Sequence, residues 1–244
     1  MNWLDEKALN WLTETVRLHR LEDLEAAFKI LGRSEVELPS DEYFLMRGRE
    51  VIEHCDLPKG RGQAFTSRAK RGSMKLGDLL RLAPSSDLER ALLYSTLNAL
   101  MNMLGEVEGT VHCRGWEAEA CGDLLARELR RRLNREARVL HVGYQPGHVR
   151  ALAEAFEGLM VTDMDPSNVG KVKFGVKIRD ASENEDAIRE ADVALITGSA
   201  AVNGSLHELL ELCERYGVDY VIYGVTGRGV AKLLGAKSFC PFAK

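Results

Sequence analysis

Three short turns built from glycine and other small residues hold most of the side chains that could grip a ligand. The first is Gly143-Tyr144-Gln145-Pro146-Gly147, followed by His148. Gly143 lets the chain leave a strand sharply and Gly147 lets a helix approach that strand closely. The helix that starts there offers free N–H groups and a partial positive charge, and Pro146 suits its first turn. Asp163 and Asp165 follow the next apolar run, where an acid can hold a ribose hydroxyl. The second turn runs from Thr197 through Gly198 and Ser199 to Asn203 and Gly204. Asn203 either caps the following helix or points into a pocket. The third is Gly224-Val225-Thr226-Gly227-Arg228-Gly229, in which Arg228 suits either an anionic group or open surface.

The first turn departs from G-x-G-x-x-G. Gln145 stands in place of the middle glycine, and His141 sits where many methyltransferases carry an acid. The pattern therefore implies a small-ligand site of nucleotide-like geometry and names no cofactor. A nucleotide-dependent transferase, such as an S-adenosylmethionine methyltransferase, is the alternative reading.

Soft metal ligands are present but scattered. His112, Cys113, Cys121 and His141 are the metal candidates, with Cys240 far along the chain, and none forms C-x-x-C or H-x-x-x-H. A metal is therefore expected to arrive already bound to a small molecule. No Ser-His-Asp or Cys-His relay can be read from spacing.

The elements that must position these turns follow from periodicity. From Arg138 onward, strands are expected at 138–142, 159–163, near 173–178, at 192–196 and at 219–223, with a short last one over 238–242. Helices are expected at 147–157, 184–190, 203–216 and 227–234. Alternating strand and helix imply a parallel sheet covered on both faces, with its ligand edge at the strand C-termini. All three turns fall on that edge.

Ahead of it, residues 3–31 read as one or two amphipathic helices stopped at Gly32, with Trp3 and Trp11 packing inward. Short strands are expected over 42–56 and 62–67, separated by a Pro/Gly turn, then a short helix over 76–82. The run LERALLYSTLNALMNML, capped by Ser85-Ser86-Asp87, is apolar on most faces and reads as a central helix. Its Ser95, Thr96, Asn98 and Asn102 serve either helix packing or pocket lining. A further helix over 117–133 ends in the basic run Arg127 to Arg135, which suits a helix C-terminus and a solvated face. The expected division is an α+β domain over 1–135 and a Rossmann-like domain over 136–244.

Composition narrows the class. The 244 residues are 45% hydrophobic and 29% charged, with a formal net charge of −4. That suits a globular chain with a substantial core and no pull toward nucleic acid or anionic membranes. No run approaches the length of a bilayer span, and the acidic start MNWLDEKALNWL does not read as a signal peptide. Five scattered cysteines suit reduced thiols, so a cytoplasmic location is expected. A homodimer is compatible with all of this.

Six stretches carry a family resemblance. They are GRGQAFTS at 60–67, the run at 88–104, VLHVGYQPGHVRAL at 139–152, VTDMDP at 161–166, VALITGSAAVNGSLHELLEL at 193–212 and VDYVIYGVTGRGVAKLLGAKSFCP at 218–241. In this order they resemble a family of proteins of unknown function grouped under heavy-metal chelation. In that family a small enolase-N-terminal-like α+β domain precedes a Rossmann-like domain. The turn after the fifth strand departs from the family's Gly-Pro-Ser-like form. The resemblance implies a site in the cleft between the domains, lined by the Asn98 helix and the turns at 143–148, 197–204 and 224–228. It implies as ligand a small anionic or heterocyclic molecule, or a metal chelate.

Overall fold

The computed structural model describes residues 1–48 and 50–244. The first part of the chain contains α1 (Trp3–Leu18), β1 (Glu25–Leu31), α2 (Arg33–Val36), β2 (Val51–Leu57), β3 (Gly60–Thr66), β4 (Gly72–Lys75), α3 (Leu76–Leu79) and α4 (Asp87–Met103). Its four strands form a sheet in the order β3-β2-β1-β4, with every pairing antiparallel.

Residues 3–31 are not all helical. Asn2 starts α1 by accepting from the Asp5 N–H at 2.9 Å, and the helix ends at Leu18. The chain then turns through Arg20, which has φ +54°, and continues as β1. EAAFKIL fits either period locally. Pairing with β2 on one side and β4 on the other decides for strand, burying Ala26 and Phe28. The strand expected over 42–56 begins only at Val51. Before it, Phe44–Arg47 form one 3-10 turn, and Arg49 lies outside the described residues.

Helix α4 lies across β3 so closely that only glycine fits beneath it. A Cβ on Gly62 would stand 2.2 Å from the Ser95 carbonyl oxygen.

The second part holds α5 (Glu117–Arg130), β5 (Arg138–Val142), α6 (Pro146–Ala155), β6 (Gly158–Asp163), β7 (Val172–Lys173), β8 (Val176–Asp180), α7 (Asn184–Glu190), β9 (Val193–Thr197), α8 (Ala200–Asn203), α9 (Leu206–Tyr216), β10 (Asp219–Tyr223), α10 (Arg228–Leu234) and β11 (Ser238–Phe239). The strand order is β11-β10-β9-β5-β6-β8-β7. All neighbours are parallel except the β7–β8 hairpin. This is the expected doubly covered sheet. Val139, Val161 and Leu195 pack with α5 and α6, while Leu140, Ala194 and Ile196 join a core that includes Leu93 and Leu97 of α4. One core therefore runs from the large sheet through α4 to the small one.

No described helix is long and apolar enough to cross a membrane.

Candidate functional site

The turn after β5 is held from within. Gly143 has φ +89°, a conformation that favours glycine, and its N–H donates to the Thr162 carbonyl at 2.8 Å. Asp163, at the end of β6, accepts from the Tyr144 N–H at 2.5 Å and the Asp165 N–H at 2.6 Å. It thereby ties two turns together. Burial raises its carboxyl pKa, and those two N–H groups oppose the shift. The Gln145 side chain accepts from the His148 N–H and so caps α6. The helix N-terminus that a phosphate would use is thus partly engaged by the chain itself.

Beside these turns lies a cavity of about 570 Å³. Gly143, Tyr144, Gln145 and His148 of the first turn line it, as do Asp163 and Asp165. The second turn contributes Thr197, Ser199 and Asn203, and the third Gly224 and Thr226. His112, Cys113 and Cys121 line it as well.

Five expected site residues do not reach it, each for a packing reason. Asn98 is fully buried and spends its amide on backbone, donating to the carbonyls of Gln63, Val225 and Thr226 and accepting from the Gly229 N–H. Ser95, Thr96 and Asn102 of the same helix are likewise bonded within the fold. Gly147 packs on α5, facing the Ala118 carbonyl. Gly198 packs on Gly227, whose nitrogen would stand 2.3 Å from an added Cβ, so it serves close backbone packing rather than ligand approach. Arg228 donates to the Glu108 carbonyl and to Ser238. His141 is fully buried under the sheet edge.

Spacing alone did not reveal a strap over this edge. Residues 38–48 and Glu50, between α2 and β2, place Leu38, Tyr43, Phe44, Leu45 and Glu50 on the cavity wall. Its one sequence signal is Tyr43-Phe44-Leu45, an apolar cluster in a segment without strand or helix period. Glu42 and Arg47 latch it. Glu42 accepts from the Tyr144 hydroxyl at 2.7 Å and from the Lys173 ammonium at 2.5 Å, and the Lys173 contact leads in lowering its pKa. Arg47 donates to Ser167 and Asn168, both at 3.1 Å, and pairs with Asp165 at 3.5 Å.

The latch makes access to the cavity testable. Glu42→Ala is expected to speed N-ethylmaleimide labelling of Cys113 and Cys121 roughly fivefold, since a part-exposed charged pair contributes about 1 kcal/mol against local opening. Mass mapping of native labelling checks this. Unchanged rates at matched stability would mean the strap does not gate the cavity.

Thiols and imidazoles form a row on the α5–α6 side. The Cys121 sulfur lies 3.3 Å from His148 Nε2, and His148 Nδ1 lies 3.2 Å from His141 Nε2. Tyr223 stacks near His141 with ring centroids 4.7 Å apart. Burial drives the imidazoles toward neutrality, His141 and His112 to about 4 and His148 well below its usual value. It pushes the thiols the other way, Cys240 to about 11, Cys113 to about 12 and Cys121 above its ordinary value. These groups are uncharged at neutral pH. Among the described residues, no three His, Cys, Asp or Glu side chains converge as a metal site. The donor set present does not fit a bare ion.

Comparison with known proteins places this architecture. Residues 126–234 match the family DUF364, described as "Putative heavy-metal chelation". The match spans a little under half of the chain. Two solved structures from DUF364 share its fold, and both are of unknown function. One, from Pyrococcus horikoshii, is 17% identical, with a TM-score of 0.59 over 95% of this chain and 82% of its own. The other, from Desulfitobacterium hafniense, is also 17% identical, with a TM-score of 0.52 over 75% of this chain and 72% of its own. No curated protein matches the chain. At such identity the DUF364 structures establish the fold alone.

Proposed function

We propose that this protein binds a small heterocyclic molecule, free or carrying a metal ion, in the cavity at the C-terminal edge of the large sheet. The observation that carries the reading is the cavity itself. Its 570 Å³ suit a small ligand, and its wall is largely apolar and aromatic with a few convergent polar groups. It sits where open α/β sheets hold ligands. The charged lining residues among those described are Glu50, Asp87, Asp163 and Asp165, with no lysine or arginine. That supports the heterocyclic half of the sequence expectation over the anionic half. A chelate fits better than a bare ion because burial holds the thiols in their protonated, poorly ligating form and no three donors converge among the described residues.

The transferase alternative needs Asp163 for a ribose and the α6 N-terminus for a polar tail. Both already have partners within the chain.

The test compares thermal unfolding with 1,10-phenanthroline, its 1:1 nickel complex, S-adenosylmethionine, NAD and ATP. A bound ligand at a hundredfold excess over its Kd adds about 2.7 kcal/mol of stability. Stabilisation by phenanthroline or its nickel complex is expected. Stabilisation by a nucleotide and by neither phenanthroline species would replace this reading with the transferase.

A further inference from the structure

Most polar groups on the cavity wall are already spoken for. Asp163 uses both carboxylate oxygens on the Tyr144 and Asp165 N–H groups. Asp165 is bonded to Ser167 and paired with Arg47, and Asp87 accepts from the Ser67 hydroxyl. Glu50 differs. It lines the cavity and is partly buried, and its carboxyl has no hydrogen bond or ion pair among the described residues. The titratable groups that face it are Asp163 at the end of β6 and Tyr223 of β10, and no described lysine or arginine is placed against it.

A second, independent sign of a missing partner lies in the same wall. The Thr162 side-chain oxygen is buried and unpaired among the described residues, and Thr162 lines the cavity. An unmatched buried hydroxyl is costly, which suits a site whose ligand supplies the partner. The same cavity is lined by the aromatic residues Tyr43, Phe44, Phe65, Tyr144 and Tyr223. Aromatic faces attract cations, and the Glu50 carboxyl on this wall has no counter-charge among the described residues.

We infer that Glu50 is the polar anchor of this cavity and that its ligand is an organic cation, an aromatic heterocycle bearing a protonated nitrogen. This rests on the cavity being the binding site. A bare metal ion is the poorer match, because the neighbouring carboxylate of Asp163 is spent on backbone.

The protonation logic sets a sign. Burial first, and the Asp163 charge second, raise the Glu50 pKa to about 8, so the free protein holds it protonated near neutrality. A bound cation favours the ionised form and expels that proton. Affinity for a cation therefore rises with pH by up to about tenfold per unit below the Glu50 pKa and levels above it. The folded pKa lies above the unfolded one. The unliganded protein should accordingly lose stability as pH rises from the ordinary carboxylate range to about 8.

Three quinolines of similar shape separate the outcomes: 4-aminoquinoline as cation, quinoline-4-carboxamide as neutral and quinoline-4-carboxylate as anion. Calorimetric titration at pH 6, 7 and 8 should show the cation binding at least tenfold tighter than the anion, with affinity rising across the range. Glu50→Gln should remove both the pH dependence and the preference for the cation. It should also flatten the fall in melting temperature between pH 6 and 8, a readout that needs no ligand and shows that the variant is folded. Carboxamide or carboxylate binding as tightly as the amine would overturn the Glu50 inference and leave the cavity reading intact. So would a wild-type affinity for the amine that is independent of pH. Binding of none of the three would sink the cavity reading, and this inference with it.

Discussion

Asn98→Ala is expected to lower the free energy of unfolding by about 4 kcal/mol, from several unpaired buried backbone groups plus a small void. Asn98 is fully buried on α4 and donates to Gln63 O at 3.0 Å, Val225 O at 3.1 Å and Thr226 O at 3.3 Å. Its side-chain oxygen accepts from the Gly229 N–H at 2.7 Å. One carboxamide thus fastens the edge strand of the small sheet to the turn after β10, which forms part of the cavity wall. Alanine supplies none of these partners, and water cannot reach them in the packed joint. Asn98→Asp should cost at least as much, because a carboxylate would face three carbonyl oxygens without a donor to give them. Equilibrium urea denaturation measures both. A loss below about 1 kcal/mol for alanine would mean the joint relaxes and rebonds elsewhere. The same variant should weaken any cavity ligand, since the turn carrying Gly224 and Thr226 loses its support.

Asp5→Ala is expected to cost about 3–5 kcal/mol, the penalty for leaving a buried cation without its partner. Asp5 is fully buried on α1 and accepts from Arg90 Nε at 3.0 Å and from the Tyr94 hydroxyl at 2.7 Å. The Arg90 side chain is only 13% exposed and packs beside Gly204. Desolvation of the guanidinium is therefore already incurred in the fold, and Asp5 offsets it. The double variant Asp5→Ala/Arg90→Met should recover a large part of the loss, because it removes the stranded charge. If the double variant is as unstable as the sum of the single ones, the pair is not coupled and the cost comes from packing alone.

Asp5 and Asn98 show where sequence reading stops. Nothing local marks Asn98 as a joint. Its partners lie 35 to 131 residues away, and the choice between packing and pocket lining was settled only when α4 met β3 and the β10 turn. The same holds for β1. EAAFKIL suits either period, and two neighbouring strands decided for sheet. The Cys121–His148–His141 row joins residues from α5, α6 and β5, and the gap of 27 residues between Cys121 and His148 leaves no motif to read.

The Rossmann-like half, by contrast, was legible in the amino-acid sequence. Strands buried on both faces read as short continuous apolar runs, and the helices between them show the 3.6-residue period. Glycine marks the sharp exits at Gly143 and Gly224, both at positive φ, because few other residues adopt that backbone cheaply. Topology then put three turns on one sheet edge, as the alternation required. These features depend on each residue's own conformational preferences and near neighbours, so the sequence by itself determined them. Tertiary structure alone decided which side chains face the cavity. It brought the strap bearing Glu50 over the edge, turned Gly198 and Arg228 away from it and spent Asp163 on backbone. Those outcomes depend on contacts between segments far apart in the chain, and no local spacing encodes such contacts.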